Sequence, residues 1–204
     1  MAEPRELKTF SGEAVNNLQS TSALVPSSRY LARAMLGPLP LEAARTVVEF
    51  GPGTGVITRA LLELLPAEAT LIAFEINPRF CAYLEETFTD PRLVVVPAGA
   101  ERVKEELAAR RVRQVEAAVS SLGLTLMSPQ QREAILGGLV EFLAPEAVFT
   151  QYQYLHGLLA FLQLTDGRLE RFTAQGFLRG YFSRISRELV WRNLPPAFVF
   201  SCRR

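Results

Sequence analysis

The sequence is poor in the residues that hold metals or staple a chain covalently. In 204 residues it has one histidine, His156, and two cysteines, Cys81 and Cys202. The cysteines lie far apart with no cysteine or histidine beside them, which argues against a disulfide and against a zinc site. One histidine cannot build a histidine-based metal cluster. Net charge is nearly absent: 22 Lys and Arg oppose 21 Asp and Glu, leaving +1. Any nucleic acid or anionic surface must therefore be met by a local patch, not by the field of the whole molecule. The longest apolar stretch, Leu155–Leu164, is too short to cross a bilayer. The opening MAEPRELKTF lacks the apolar centre of a signal peptide. These absences predict a cytoplasmic protein, at most peripheral on a membrane. Internal repeats and low-complexity segments are absent too.

What is present is a 49% hydrophobic, 21% charged chain, suited to one globular domain with a real core. Apolar β-type runs recur at Thr46–Phe50, Thr70–Glu75, Leu93–Val96, Val115–Ser120, Ala147–Tyr154, Glu188–Trp191 and Ala197–Cys202. Helix-patterned segments separate most of them: Gly55–Leu65, Arg79–Phe88, Glu101–Arg111 and Pro129–Leu143. Alternation of this kind predicts an α/β fold whose parallel sheet is covered on both faces. The last two runs leave no room for a crossover helix, so they read as an antiparallel hairpin. Ahead of the sheet, Leu7, Phe10, Ala14, Val15 and Leu18 recur at helical spacing. Pro26-Ser27-Ser28 then opens a second helix, Ser28–Leu36, stopped by Gly37-Pro38. The division expected is a helical segment over residues 1–40, serving as membrane contact or lid, and one domain over residues 41–204.

TVVEFGPGTGVIT, residues 46–58, reads as strand, tight turn and helix, the opening of a nucleotide-binding unit. Gly51, Gly53 and Gly55 let the backbone turn sharply and lie close to a ligand. The dinucleotide pattern G-x-G-x-x-G fails in both registers, because its third glycine falls on Val56 or on Thr58. E-F-G-P-G-T-G instead resembles the first motif of S-adenosylmethionine (SAM) methyltransferases. Glu75, 20 residues past Gly55, ends the second strand, where a carboxylate can accept both ribose hydroxyls. The strand plan resembles the Rossmann-like fold of class I methyltransferases: a seven-stranded, mostly parallel sheet with a C-terminal antiparallel hairpin, here with N-terminal helices added.

The methyl acceptor is read from other segments. The fourth strand ends in AAVSSLGLT and lacks the [ND]-P-P-[YF] motif with which adenine- and glutamine-directed relatives stack their substrate. Asn193-Leu194-Pro195-Pro196 looks like that motif but falls at the turn of the final hairpin. SALVPSSRYLARAM, VVEFGPGTGVITRALL, FEINPRF, QYQY and RNLPPAFVF, in this order, resemble the bacterial phospholipid N-methyltransferases over nearly the whole chain. The resemblance implies methyl transfer from SAM to the amine of phosphatidylethanolamine and its partly methylated products. Ornithine-lipid N-methyltransferases share the frame. It implies cofactor contacts from Glu49, Gly51, Gly53, Thr54, Gly55, Glu75, Ile76, Ala100 and Ser120. Two departures stand out. Ala98-Gly99-Ala100 replaces the family's G-D-A, leaving the adenine contact to backbone or to a neighbour such as Glu101. Ser120-Ser121-Leu122-Gly123 replaces S-G-L-P beside the transferred methyl.

A lipid ammonium must lose a proton before it attacks, and a hydroxyl or a water chain could carry that proton away. Tyr152 and Tyr154, alternating onto one face at the end of the fifth strand, are the candidates, with Tyr30 closing the pocket. His156 is more readily a structural or surface residue. Arg168, Arg171, Arg179, Arg184 and Arg187, interleaved with Phe172, Phe177, Tyr181 and Phe182, read as a helix face for an anionic membrane, Arg179, Arg184 and Arg187 being the substrate or membrane contacts. The expected partners are an amine lipid and an anionic membrane surface on the inner face of the cytoplasmic membrane. Nucleic acid and metal are not expected, and the protein is taken as a monomer. A small soluble amine, a non-catalytic SAM- or lipid-binding module and RNA remain as alternatives.

Overall fold

The computed structural model describes residues 28–155, 162–165 and 168–204, with the backbone course alone for 162–165 and 168–171. The helical pattern over residues 7–18, His156 and the side chains of Arg168 and Arg171 lie outside the described residues. The chain runs α1 (Arg29–Leu36), β1 (Thr46–Phe50), α2 (Val56–Leu64), β2 (Thr70–Phe74), α3 (Pro78–Thr87), β3 (Leu93–Val96), α4 (Val103–Ala109), β4 (Val115–Ser120), α5 (Pro129–Val140) and β5 (Leu143–Tyr154). It continues through β6 (Leu162–Thr165), β7 (Arg168–Arg171), α6 (Ala174–Leu178), β8 (Arg184–Val190) and β9 (Ala197–Arg203).

Seven strands form one sheet in the order β3-β2-β1-β4-β5-β9-β8. The pairs from β3 to β5 are parallel, and β9 runs antiparallel to both β5 and β8. The predicted α/β plan with its C-terminal hairpin is the plan observed. Alternation splits each strand between two cores. Val47, Leu71, Val119 and Tyr152 face α1 and α2, while Val48, Phe50, Ile72, Phe74 and Phe149 face α4 and α5. The helix starts follow cap chemistry. Ser28 Oγ accepts from the Leu31 amide, Asn77 precedes Pro78 and accepts from the Arg79 amide, and Ser128 forms a capping box with Gln131.

The structure corrects several boundaries. β5 begins at Leu143, four residues before the apolar run, through a register shift against β4 between Val115 and Ala117. β8 spans Arg184–Val190, where the sequence suggested only Glu188–Trp191. As the edge strand it leaves Arg184, Ser186, Arg187 and Glu188 exposed, so its hydrophobic pattern is faint. A two-stranded hairpin, β6–β7, falls where no strand was expected. The arginine and aromatic residues do not share a helix. α6 covers only Ala174–Leu178, between Gly176 inside it and Gly180 beyond its end, and Arg184 and Arg187 belong to β8. Phe182 is core, stacked on Phe149 with centroids 5.6 Å apart, and Phe172, Phe177 and Tyr181 pack on the same core. The aromatics thus serve the interior, and among the described arginines of this segment Arg179, Arg184 and Arg187 are exposed.

Candidate functional site

The carboxyl ends of β1 to β5 share one edge of the sheet, the place where such sheets receive ligands. The loop after β1 is built by three left-handed residues, Gly51, Gly53 and Gly55, with φ of 73°, 55° and 78°. Each glycine answers a different need. A Cβ on Gly51 would press on Leu122 Cδ2 at 3.0 Å, and one on Gly55 would strike Phe88 Cε2 at 2.5 Å. A Cβ on Gly53 would meet nothing within 4 Å. Gly51 and Gly55 therefore close the loop against the β4 loop and α3, while Gly53 faces the space left for a ligand. Gly55→Ala should cost about 2 kcal/mol of stability, from overpacking on Phe88 added to backbone strain. Gly53→Ala should cost about half as much, from strain alone; denaturant unfolding of both variants measures the difference.

Two acids stand beside this loop. Glu75 accepts from the Gly53 amide at 3.1 Å and from the Asn77 amide at 2.8 Å, so the loop and the end of β2 are clamped together. Each oxygen keeps a further lone pair for a hydroxyl donor. Glu49 is fully buried at the end of β1. Its Oε2 accepts from the Thr58 hydroxyl at 2.7 Å, and its Oε1 has no partner among the described residues. Burial raises its pKa from 4.5 to about 8; the Thr58 bond opposes the rise and the Glu75 charge adds to it. A buried carboxyl with an orphaned oxygen fits a cationic group such as the amino end of SAM. Ile76, 74% exposed, offers an apolar plate for the base. Thr54 is exposed at the loop tip, and Ala100 is buried at the start of the turn after β3. The cofactor candidates are thus gathered along one edge of the sheet.

Ser120 is buried at the end of β4, its Oγ accepting from the Leu122 amide at 3.3 Å. The next strand supplies a residue that sequence reasoning missed. Gln151, paired with Ser120 across β4 and β5, donates Nε2 to the Leu122 and Tyr152 carbonyls at 2.8 and 2.6 Å, and its Oε1 is buried with no donor among the described residues. Its place in QYQY, between strand core and strand end, was the available signal. Arg132 of α5 holds the same loop by donating Nη1 to the Leu124 and Met127 carbonyls, both at 3.0 Å.

Tyr152 and Tyr154 do share a face, with ring centroids 5.1 Å apart edge to face. Burial pushes the Tyr152 phenol well above its ordinary value, and Tyr154 adds to the rise. Tyr152 therefore stays a hydroxyl, able to relay a proton but not to wait as a phenolate. Tyr30 packs on the same core, between the Arg29 guanidinium at 4.9 Å and that of Arg192 at 5.1 Å. It lines a cleft of about 590 Å³ between α1 and β8 with Arg33, Trp191 and Arg192. The start of α1 and the NLPPA turn are joined beside it: the Ser28 amide donates to Asn193 Oδ1 at 3.2 Å, and Asn193 Nδ2 donates to the Pro195 carbonyl at 2.7 Å.

A profile of the ribosomal RNA adenine dimethylase family matches residues 28–100. That stretch runs from α1 through the glycine loop and both acids to the turn after β3, and stops before β4. The precorrin-6y C5,15-methyltransferase of Geobacter metallireducens superposes with a TM-score of 0.63 over 87% of this chain and 89% of its own, at 14% identity. The 1,6-didemethyltoxoflavin-N1-methyltransferase of Burkholderia thailandensis, solved with 1,6-didemethyltoxoflavin and S-adenosylhomocysteine, superposes with a TM-score of 0.58 over 100% of this chain and 91% of its own, at 19% identity. The ornithine lipid N-methyltransferase of Singulisphaera acidiphila is 27% identical over 195 residues, 95% of this chain and 94% of the relative. The chain has the fold of the class I SAM-dependent methyltransferases. In this fold the clamp of Glu75 on Gly53 and the buried Glu49 stand at the ends of β2 and β1, and Gln151 and Arg132 hold the loop after β4.

Proposed function

We propose that this methyltransferase moves methyl groups from SAM to the amine of a membrane lipid. The observation that carries the proposal is the difference in reach between two likenesses. The RNA dimethylase profile ends at residue 100, whereas the lipid N-methyltransferase of Singulisphaera acidiphila aligns through the acceptor side as well. The acceptor loop agrees: Ser121-Leu122-Gly123 carries no aromatic to stack on a nucleobase. Phosphatidylethanolamine is the acceptor favoured by the sequence motifs, and ornithine lipid the one favoured by the full-length relative.

Bound SAM supplies an electrophilic methyl on a sulfonium, whose thioether product leaves without an acid. What remains for the chain is to position the amine and to take its proton. Lodging the ammonium in a poorly hydrated pocket lowers its pKa from about 10 and favours the attacking free amine. Gln151 and Arg132 fix the loop that borders the amine, and the Tyr152–Tyr154 pair offers a hydroxyl route for the departing proton. Support for a membrane encounter comes from the β8–β9 turn, on the same edge as the site, which exposes Trp191 and Leu194 beside Arg192. Apolar tips flanked by cations suit the boundary between headgroups and acyl chains. No helix among the described residues is long and apolar enough to cross a membrane. The reading carries with it a peripheral position on the cytoplasmic face of that membrane.

The test uses methyl-labelled SAM with anionic vesicles containing either phosphatidylethanolamine or ornithine lipid, and ribosomal RNA in parallel. Label is expected in the lipid fraction of at least one vesicle type. Folded, SAM-binding protein that labels neither lipid, or labels RNA instead, overturns the proposal.

A further inference from the structure

Gln151 carries a carbonyl oxygen to which no described residue donates. The residue is 1% exposed near the carboxyl end of β5, beside Ser120 of β4. Its amide orientation is fixed by two bonds, since only Nε2 can donate to the Leu122 and Tyr152 carbonyls. Oε1 is then left buried with no donor among the described residues. An unpaired buried acceptor is unfavourable, so a ligand N–H that reaches it recovers that loss as binding. The loop that Gln151 holds touches the glycine loop in turn. The Ser121 amide donates to the Phe50 carbonyl at 2.9 Å, and Leu122 is the side chain that a Cβ on Gly51 would meet. Ser121 and Leu122 are half-buried and Gly123 is exposed, so the loop beside Oε1 is thin.

We propose that Gln151 Oε1 accepts an N–H of the attacking amine and so turns the nitrogen lone pair toward the methyl group. The inference rests on the amine-lipid reading above. A shallow shift of the Ser121–Gly123 loop admits the amine to the oxygen. A neutral primary amine has two N–H groups and one lone pair, a secondary amine has one of each, and a tertiary amine has the lone pair only. A single acceptor therefore orients the first two substrates and has no hold on the third. In each round the lone pair forms the N–C bond, the C–S pair stays with sulfur, and the ammonium formed gives one proton to water. Gln151 thereby sets how the rates of successive transfers compare, whichever amine lipid carries them.

The test measures transfer from methyl-labelled SAM to anionic vesicles containing phosphatidylethanolamine, its N-monomethyl or its N,N-dimethyl derivative, with the matching ornithine-lipid series in parallel. Gln151→Met keeps the length of the side chain and removes the carbonyl. Its first and second transfers are expected to slow about tenfold more than its third, the range of one lost hydrogen bond. The lost tether to Leu122 slows all three alike and cancels in that ratio. Arg132→Lys loosens the same loop without touching Oε1, so it should slow all three by one factor. Gln151→Asn draws the amide back by one methylene and should shift the ratio in the same direction, which keeps the test open if the methionine variant does not fold. A first-to-third ratio unchanged in the folded Gln151 variants, or changed equally by Arg132→Lys, overturns the inference and leaves the lipid reading standing. Wild-type protein that labels no lipid of either series overturns both.

Discussion

Glu49→Gln is expected to flatten the pH dependence of folding while weakening SAM binding by roughly ten- to a hundredfold, the range for a charged hydrogen bond lost from a buried site. The buried carboxyl titrates near pH 8 in the folded chain and near 4.5 when unfolded. The folded state therefore holds a proton that the unfolded state has released throughout that window. Stability from this group is fully present below about pH 4.5 and is lost as pH rises through about 8, with on the order of 5 kcal/mol at stake. Glutamine keeps the shape and a partner for Thr58 without the titration, so its unfolding free energy should lack that downward slope between pH 5 and 9. Binding works through the same proton. An ammonium arriving at Glu49 favours the carboxylate and expels the proton, so wild-type affinity should tighten as pH rises toward 8. Calorimetry at pH 7 in buffers of different ionisation enthalpy should report nearly one proton released by wild type and none by Glu49→Gln. Equal proton release by both proteins would show that Glu49 does not face the cofactor.

The second large effect lies on the acceptor side. Arg132 is 4% exposed, binds two loop carbonyls and lies over the Phe172 ring at 3.8 Å, with Phe177 at 5.7 Å. Arg132→Ala removes both donors, the cation over the ring and most of the packed volume at once. The expected loss is about 3 kcal/mol. In a chain of this size that lowers the melting temperature by roughly 6–12 °C. Arg132→Lys keeps the charge but not the flat guanidinium, so it should recover less than half of the loss. Turnover should fall further than SAM affinity in both variants, because the segment released, Leu124–Met127, belongs to the acceptor loop and not to the glycine loop. Calorimetric melting and SAM titration of the same preparations separate the two effects.

The sequence made the cofactor side legible because each of its devices is local. Gly51, Gly53 and Gly55 need left-handed backbone, and Glu75 closes a strand at a readable spacing. The caps at Ser28, Asn77 and Ser128 act within three residues. The acceptor side was less legible because its contacts are remote. Gln151 reaches Leu122 across 29 positions, and Phe182 stacks on Phe149 from another element. β8 hid for a different reason: an edge strand with one face in water carries charge where a buried strand carries valine or isoleucine. The aromatic run misled because its spacing fitted a helix face while Gly176 and Gly180 were already ending the helix.

The bond between Ser28 and Asn193 has a consequence for how the protein breathes. It joins the start of α1 to the β8–β9 turn across 165 positions, and α1 rests on β5, β8 and β9. Local opening of that turn removes the acceptor that orders the amide of Ser28, the N-cap of α1, and fraying of α1 uncovers the turn. In hydrogen-exchange terms the two behave as one cooperative unit, with the amides of Leu31, Ala32 and Asn193 exchanging at a common rate. The glycine loop, held to β2 through Glu75, belongs to another unit. The α1 edge can therefore open while the glycine loop stays clamped to β2 through Glu75.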